Sequence, residues 1–398
     1  MRNSKIVIIL GSVVMVIAMA GLGLKLFLGR PLPPIAIPPA PAMPADNGFD
    51  DCLRAVSLLK DADRADKLSA DDRREARALL QSNREAMEIV RQALGKAYMT
   101  PRPNSWDEEW PYLREFRRCA GLFRLDGQLK ASRGDYRGAA ESFLDARRFG
   151  AMVPTGGWLV HWTLGAGMSE YGYAGLEEIV GKMDKATCLY VLSELRKADM
   201  REPMFGQVLQ GEEVLGLMFL QAQRQGKVNG ADGKPMQPLP PMIDRLMSRG
   251  GTSIEQYQSY MRRYRAESSK PFYLRKPPAD PEGAFSLILA PPAGILTRKS
   301  IFATQGQILK LMIALRLDYL EDGKYPASIA DVQPSSLVFM DEFTGDPLKY
   351  KVTSDGYLLY SVGPDGKDDG GAPLRNGRNS CLGDITAGKL FPPKPADE

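Results

Sequence analysis

Tyr357-Leu-Leu-Tyr-Ser-Val-Gly-Pro-Asp-Gly-Lys-Asp-Asp-Gly-Gly371 is a strand that runs into a loop rich in glycine and aspartate. Immediately before it, Leu348-Lys-Tyr-Lys-Val-Thr353 has the same strand character, and Ser354-Asp-Gly356 between the two is a hairpin signal. Upstream, Ser300 to Asp322 repeats apolar residues at helical spacing, with Ile301, Ile308, Leu311, Met312, Leu315 and Tyr319 on one face and Gly323 as the stop. The periodicity thus changes from helix to strand, and residues 300–398 read as a small α+β domain, one helix on an antiparallel sheet.

Everything between this domain and the N-terminus is helical in pattern. Phe49, Cys52, Leu53, Val56 and Leu59 mark a first buried face. Ser69-Ala-Asp-Asp72 resembles a capping box for a second helix running to about Ala97, with Ala76, Leu79, Leu80, Met87 and Val90 inward, and Pro101 and Pro103 break it. A third helix covers Trp110 to Ser132. Leu122 to Phe149 is similar to one tetratricopeptide-like helix pair, with Gly134-Asp-Tyr136 at the turn and Ala139, Ala140, Phe143 and Ala146 at the helix contact. Helices follow over Trp158 to Met183, Asp184 to Met200 with Asp184 as N-cap, and Phe205 to Gln225. Gly226 to Pro240 reads as a long loop, Pro241 to Lys270 as helix with a break at Gly250-Gly251, and 271–299 as a linker, six prolines falling between Pro271 and Pro292. Residues 46–270 therefore form an α-helical hairpin array, and the chain is mainly α.

The first residues point to a membrane. Ile6 to Leu24 is uncharged and mostly apolar, between Lys5 and Lys25, and its nineteen residues can span a bilayer core of about 30 Å. Residues 1–30 read as a signal anchor and single membrane helix. Cleavage after Ala20 is the competing reading, since Ala18-Met-Ala20 fits a signal-peptidase site, but the apolar run continues through Leu22, Leu24, Leu26 and Leu28. The linker 31–45 follows; seven prolines between Pro31 and Pro44 make it a stiff spacer of roughly 40 Å.

Composition narrows the function classes. Of 398 residues, 52 are basic and 48 acidic, mixed along the chain, so there is no nucleic-acid footprint. The one histidine, His161, makes histidine-based metal sites and ordinary triads hard to build. Cys52, Cys119, Cys188 and Cys381 lie far apart without a C-x-x-C spacing, which argues against zinc and favours free or buried thiols over bridges. No G-x-S-x-G, H-E-x-x-H or P-loop lysine motif occurs. Glu108-Glu109 and Glu212-Glu213 are the carboxylate pairs a glycosidase would need, yet adjacent helical side chains diverge by about 100°. Trp106, Trp110, Trp158 and Trp162 with His161 suggest core filling between helices before a ligand pocket, and Arg114, Arg117 and Arg118 around Glu115 suggest a solvated face. No catalytic residue and no small-molecule substrate is legible.

The loop Gly363 to Gly371 holds Asp365, Asp368 and Asp369. Three carboxylates on a tight turn repel unless water or a cation neutralises them, and hard oxygen ligands suit calcium. Lys367 and Asn376 occupy positions where an EF-hand needs acidic ligands. From the residues alone, a cation loop and a solvated acidic turn both stand.

Ile313-Ala-Leu-Arg-Leu-Asp-Tyr-Leu-Glu-Asp-Gly-Lys-Tyr-Pro326, Asp341-Glu-Phe-Thr-Gly-Asp-Pro-Leu-Lys-Tyr350, Leu359 to Gly371 and Gly383-Asp-Ile385 together resemble the globular domain of the major pseudopilin of type II secretion. The resemblance implies an α-helix on a three-stranded sheet with structural Ca2+ in the last loop. It further implies Asp365 and Asp384 as side-chain ligands, with Asp368, Asp369 and the carbonyl of Val362 as further oxygens. The family's processing signature is missing: Ile6 to Leu28 contains no glutamate, and about 270 residues separate this run from the matching helix. The resemblance therefore extends to the domain and not to pseudopilus assembly. These readings together suggest a non-enzymatic protein of the bacterial envelope, single-pass in the inner membrane with its bulk on the extracytoplasmic side. The helical module would bind a protein partner, and a relation to secretion is implied. The alternative is an envelope hydrolase acting on wall polymer or glycan through paired carboxylates.

Overall fold

The structure, a computed structural model, describes residues 32, 34–69, 71–228, 244, 253–279, 292–333, 339–376 and 381–388. The expected membrane helix at 1–30 lies outside them, as do most of the expected loop after Gly226 and the Gly250-Gly251 break. Among the described residues no helix is long and apolar enough to cross a membrane. Residues 34–44, the proline-rich spacer, carry neither helix nor strand.

The fold is mainly helical with a small antiparallel sheet. In order the helices are α1 Gly48–Ser57, α2 Arg73–Ser82, α3 Arg84–Ala93, α4 Tyr112–Ala131, α5 Tyr136–Met152, α6 Leu159–Ile179, α7 Lys185–Arg201, α8 Phe205–Arg224, α9 Ser253–Ser268 and α10 Pro292–Asp322. The strands are β1 Lys349–Thr353, β2 Gly356–Ser361, β3 Arg375–Asn376, β4 Cys381–Leu382 and β5 Ile385–Thr386. Backbone packing groups them into two compact units. The larger is drawn from Ala40–Asn104, Glu108–Glu212 and Tyr264–Glu398, the smaller from Met1–Pro39, Ser105–Asp107 and Glu213–Arg263. Residues 264 onward thus share a unit with α1–α7, where the sequence suggests separate domains at 46–270 and 300–398.

Within the larger unit, α4, α5 and α6 make the tightest packing. The expected helix pair is present: Gly134 turns the chain with φ +80, and the Asp135 carboxylate caps α5 by accepting the Gly138 N–H at 2.8 Å. Ala139, Ala140, Phe143 and Ala146 are all fully buried. Close approach is made by glycines: a methyl on Gly150 would stand 2.3 Å from the Gly165 carbonyl, and one on Gly165 2.4 Å from the Gly150 carbonyl. The Phe143 ring fills the space that glycine leaves at Gly127 on α4 and Gly175 on α6.

Two expected boundaries differ. The second helix is bent at Asn83 into α2 and α3, because the buried Asn83 side chain accepts from Lys60 N and donates to the Lys60 carbonyl, both at 2.8 Å. The Asn83 carbonyl accepts the first bond of α3, from the Met87 N–H at 3.0 Å, so Asn83 ends α2 and opens α3. Helix α10 begins at Pro292, inside the expected linker 271–299, because a proline is tolerated in the first turn of a helix.

Helix α10 joins the sheet to the helices. Phe302 stacks on Tyr173 of α6 at 5.3 Å, Lys310 pairs with Asp199 of α7 at 2.6 Å, and Arg316 Nε donates to the Met183 carbonyl. Arg147, fully buried on α5, completes this seam by bonding Tyr173, Asp199 and Glu202 at 2.8 to 3.0 Å. Strands β1 and β2 pair antiparallel across the predicted turn, with Lys349 opposite Tyr360 and Thr353 opposite Gly356. Strand β5 adds to the other edge of β2, giving the order β1-β2-β5.

In the smaller unit, Trp106 meets Phe219 edge-on at 5.0 Å, and Gly216 makes room for the Tyr257 ring, whose hydroxyl donates to the Glu213 carbonyl. Arg224 pairs with Asp244 at 3.3 Å.

Candidate functional site

Helices α2 and α3 form one wall of an open cleft in the larger unit, and the C-terminal half of α4 forms the other. The cleft has a volume of about 810 Å³ and is lined by Arg77, Leu80, Arg84, Met87 and Arg91 on one side and Asp126, Leu129, Lys130 and Arg133 on the other. Five of these side chains are basic and one is acidic, so the cleft is strongly cationic. Met87 and Leu129 are buried at its floor and Leu80 is half-buried.

The basic groups divide into two sorts. Arg91 is fixed, with Nε on Asp145 at 2.8 Å and a second nitrogen 3.6 Å from Asp126, and its guanidinium lies over the Phe123 ring. Lys130 is held by Asp126 at 2.7 Å and Ser142 at 2.9 Å. Arg77, Arg84 and Arg133 are exposed, and none of their side chains makes an ion pair or hydrogen bond with another described residue. A second cleft of about 490 Å³ shares Arg91 and is lined further by Asp145, Arg148, Glu194, Lys197 and Arg201. There the basic groups are engaged, Arg148 bonding Asp145 and Glu194, Lys197 bonding Glu194 and Arg201 donating to the Leu94 carbonyl. Free cationic capacity is concentrated in the first cleft.

Among the described residues no group of three or more His, Cys, Asp or Glu side chains stands close enough to hold a metal. The acidic loop has the following geometry. Asp384 is fully buried, and its carboxylate accepts from Gly371 N at 2.6 Å and from Asp369 N at 3.4 Å. Burial, with Asp368 and Asp369 nearby, pushes its carboxyl above the usual range. Asp365 accepts from Lys367 N at 3.1 Å and from Gly383 N, beside Asp384, at 3.4 Å. Asp368 instead accepts from the Tyr360 hydroxyl at 2.8 Å, which holds it below the usual carboxylate range, and lies 3.6 Å from Lys349. The Val362 N–H donates to Asp341 at 3.0 Å. Asp384 is a buried carboxylate that accepts backbone N–H groups and, among the described residues, has no cationic side chain on it. Asp365 and Asp369 adjoin it through backbone, and Asp368 is engaged elsewhere.

Asp341 is the residue of this region that sequence reasoning missed. It is buried, and its two oxygens take the Phe343 N–H, the Ser361 hydroxyl and the Val362 N–H at 2.9 to 3.0 Å. It ties the Asp341–Pro347 turn to the end of β2 and so sets where the acidic loop begins. The Asp-x-Phe spacing of a side chain bonding its own backbone two residues on was the legible signal.

The aromatic group does not assemble as one pocket. Trp110, Trp158 and His161 cluster, with Trp158 4.7 Å from Trp110 and 4.2 Å from His161, whereas Trp162 packs on Phe205 and Trp106 belongs to the smaller unit. His161 is fully buried, bonds the Tyr112 hydroxyl through Nε2 at 2.9 Å, and is lowered to about 3 by burial, so it is a neutral core residue. Arg117 donates to Tyr171, Arg118 to Glu115, and Arg114 is exposed, as a solvated face requires. Glu212 accepts the Leu159 N–H at 3.1 Å, and burial pushes it up to about 7, while the Glu108 carboxylate accepts the Asn104 N–H at 2.7 Å. Cys52, Cys119 and Cys188 are buried free thiols.

Set against known protein families, curated proteins and solved structures, the chain matches none.

Proposed function

We propose that this chain is a membrane-anchored, non-enzymatic protein of the cell envelope. Its helical module docks a protein partner, and its C-terminal pseudopilin-like α+β domain is stabilised by calcium, with a role connected to secretion. The observation that carries the reading is the cationic cleft between α2, α3 and α4, where Arg77, Arg84 and Arg133 stand unpaired around apolar residues. Unpaired arginine beside buried apolar side chains is the composition enriched in protein-recognition surfaces. The anchor rests on the apolar run Ile6 to Leu24, and the calcium on the donor set around Asp384.

The test is capture from membranes. The full chain and the triple variant R77E/R84E/R133E are purified from the same membranes and their co-purifying proteins compared. A partner held by the wild type and lost from a variant of unchanged melting temperature supports the reading. A partner retained by the triple variant removes the cleft from it.

A further inference from the structure

We infer that the element docking in this cleft is an acidic amphipathic helix; the inference rests on the reading of the cleft as the partner site. The wall formed by α2 and α3 presents Arg77, Leu80, Arg84, Met87 and Arg91 to the cleft. Their spacing alternates three and four residues, so on each helix they share one face. Arginine occupies every seventh position and an apolar residue each position between. Asn83 ends α2 and caps α3, so Arg77 and Leu80 come from one helix and Arg84, Met87 and Arg91 from the next, and the two helices bring all five to the same cleft.

The opposite wall has the same character, with Leu129 at the floor and Arg133 at the rim. A ligand lying between the walls meets apolar surface below and unpaired guanidinium groups on both sides. A helix with apolar residues at three- and four-residue intervals and carboxylates seven apart satisfies both, since planar guanidinium pairs carboxylate in bidentate fashion. The cleft suits other anions less well. A nucleic acid backbone would leave the exposed part of half-buried Leu80 uncovered and would meet Asp126. A flat anionic bilayer cannot enter a concave site.

The experiment uses the full chain in mild detergent and a fluorescent peptide of about 21 residues, three heptads with glutamate at one seam position and leucine at the other. The controls are a scrambled peptide of the same composition, a peptide with lysine for glutamate, anionic vesicles and duplex DNA. The expected result is micromolar binding of the heptad peptide that weakens with salt, and at least about tenfold weaker binding of the scrambled peptide. R77E, R84E and R133E should each lower affinity by about fivefold or more, and the lysine peptide should bind the triple variant better than the wild type. Equal binding of the scrambled peptide, indifference to R84E, or binding only of vesicles, DNA or a second copy of the chain overturns the proposal. If the triple variant loses its membrane partner while the heptad peptide fails to bind, the docking site stands and the helix assignment falls. If the triple variant keeps its partner, the docking reading itself falls.

Discussion

At the scale of single residues, two buried titratable groups work in opposite directions. His161 is lowered to about 3 by burial, so the unfolded chain binds its proton first as pH falls below 6.5. The stability that neutral His161 supports is therefore complete above pH 6.5 and lost progressively down to about 3. Glu212 is raised from 4.5 to about 7 by burial, the Leu159 N–H opposing. Here the folded chain binds the proton more tightly, so stability is complete below pH 4.5 and lost as pH rises to about 7. Between pH 4.5 and 6.5 the two slopes offset each other. Relative to wild type, Glu212→Gln should lose stability on acidification from pH 6.5 to 4.5, at up to about 1.4 kcal/mol per pH unit. His161→Gln should show the reverse slope. Urea unfolding at several pH values measures both, and parallel pH profiles for the two variants would contradict the assignment.

At the scale of elements, the α5–α6 contact decides what a glycine does. Gly150 and Gly167 lie on packed helices, yet a methyl on Gly150 meets the Gly165 carbonyl at 2.3 Å while one on Gly167 meets nothing within 4 Å. Gly150→Ala should therefore destabilise by about 1 to 3 kcal/mol, since a backbone carbonyl cannot yield as a side chain can. Gly167→Ala should stabilise by up to about 1 kcal/mol through helix propensity alone. Urea midpoints test the pair, and equal shifts would contradict the packing. The same elements show what the sequence makes legible. The turn at Gly134-Asp135 and the small residues Ala139, Ala140 and Ala146 are local signals, and the helix pair they predict is present. The bend at Asn83 depends on Lys60, 23 residues away, and no local pattern reports it. The cleft lies between the two cases. Arg77, Leu80, Arg84, Met87 and Arg91 have a visible three-four spacing, but whether an arginine on such a face is paired depends on which acids of α4 and α5 reach it.

At the scale of the whole molecule, the acidic loop belongs to the same compact unit as α1 to α7, because α10 packs both on β2 and β5 and on α6 and α7. A cation held at the loop should therefore register in the melting of the larger unit and not only locally. Asp384 carries the argument: it is fully buried, takes two backbone N–H groups, and its carboxyl is raised by burial and by its acidic neighbours. A divalent ion on its remaining lone pairs would relieve that cost, with Asp365 beside the Gly383 backbone as the next oxygen source. By linkage, calcium at a hundredfold excess over its dissociation constant should stabilise by about 2.7 kcal/mol, seen as a higher melting temperature than in chelator. Magnesium, which demands strict octahedral geometry, should do less at equal concentration. Asp365→Asn should remove most of the calcium increment while leaving the melting temperature in chelator nearly unchanged, since Asp365 accepts only backbone N–H groups, at 3.1 and 3.4 Å, and makes no ion pair among the described residues. The increment should shrink as pH falls, because protonation of Asp384 competes with the cation. Identical melting curves in calcium and in chelator would overturn the calcium reading and leave Gly363 to Gly371 a solvated acidic turn closed by backbone donors.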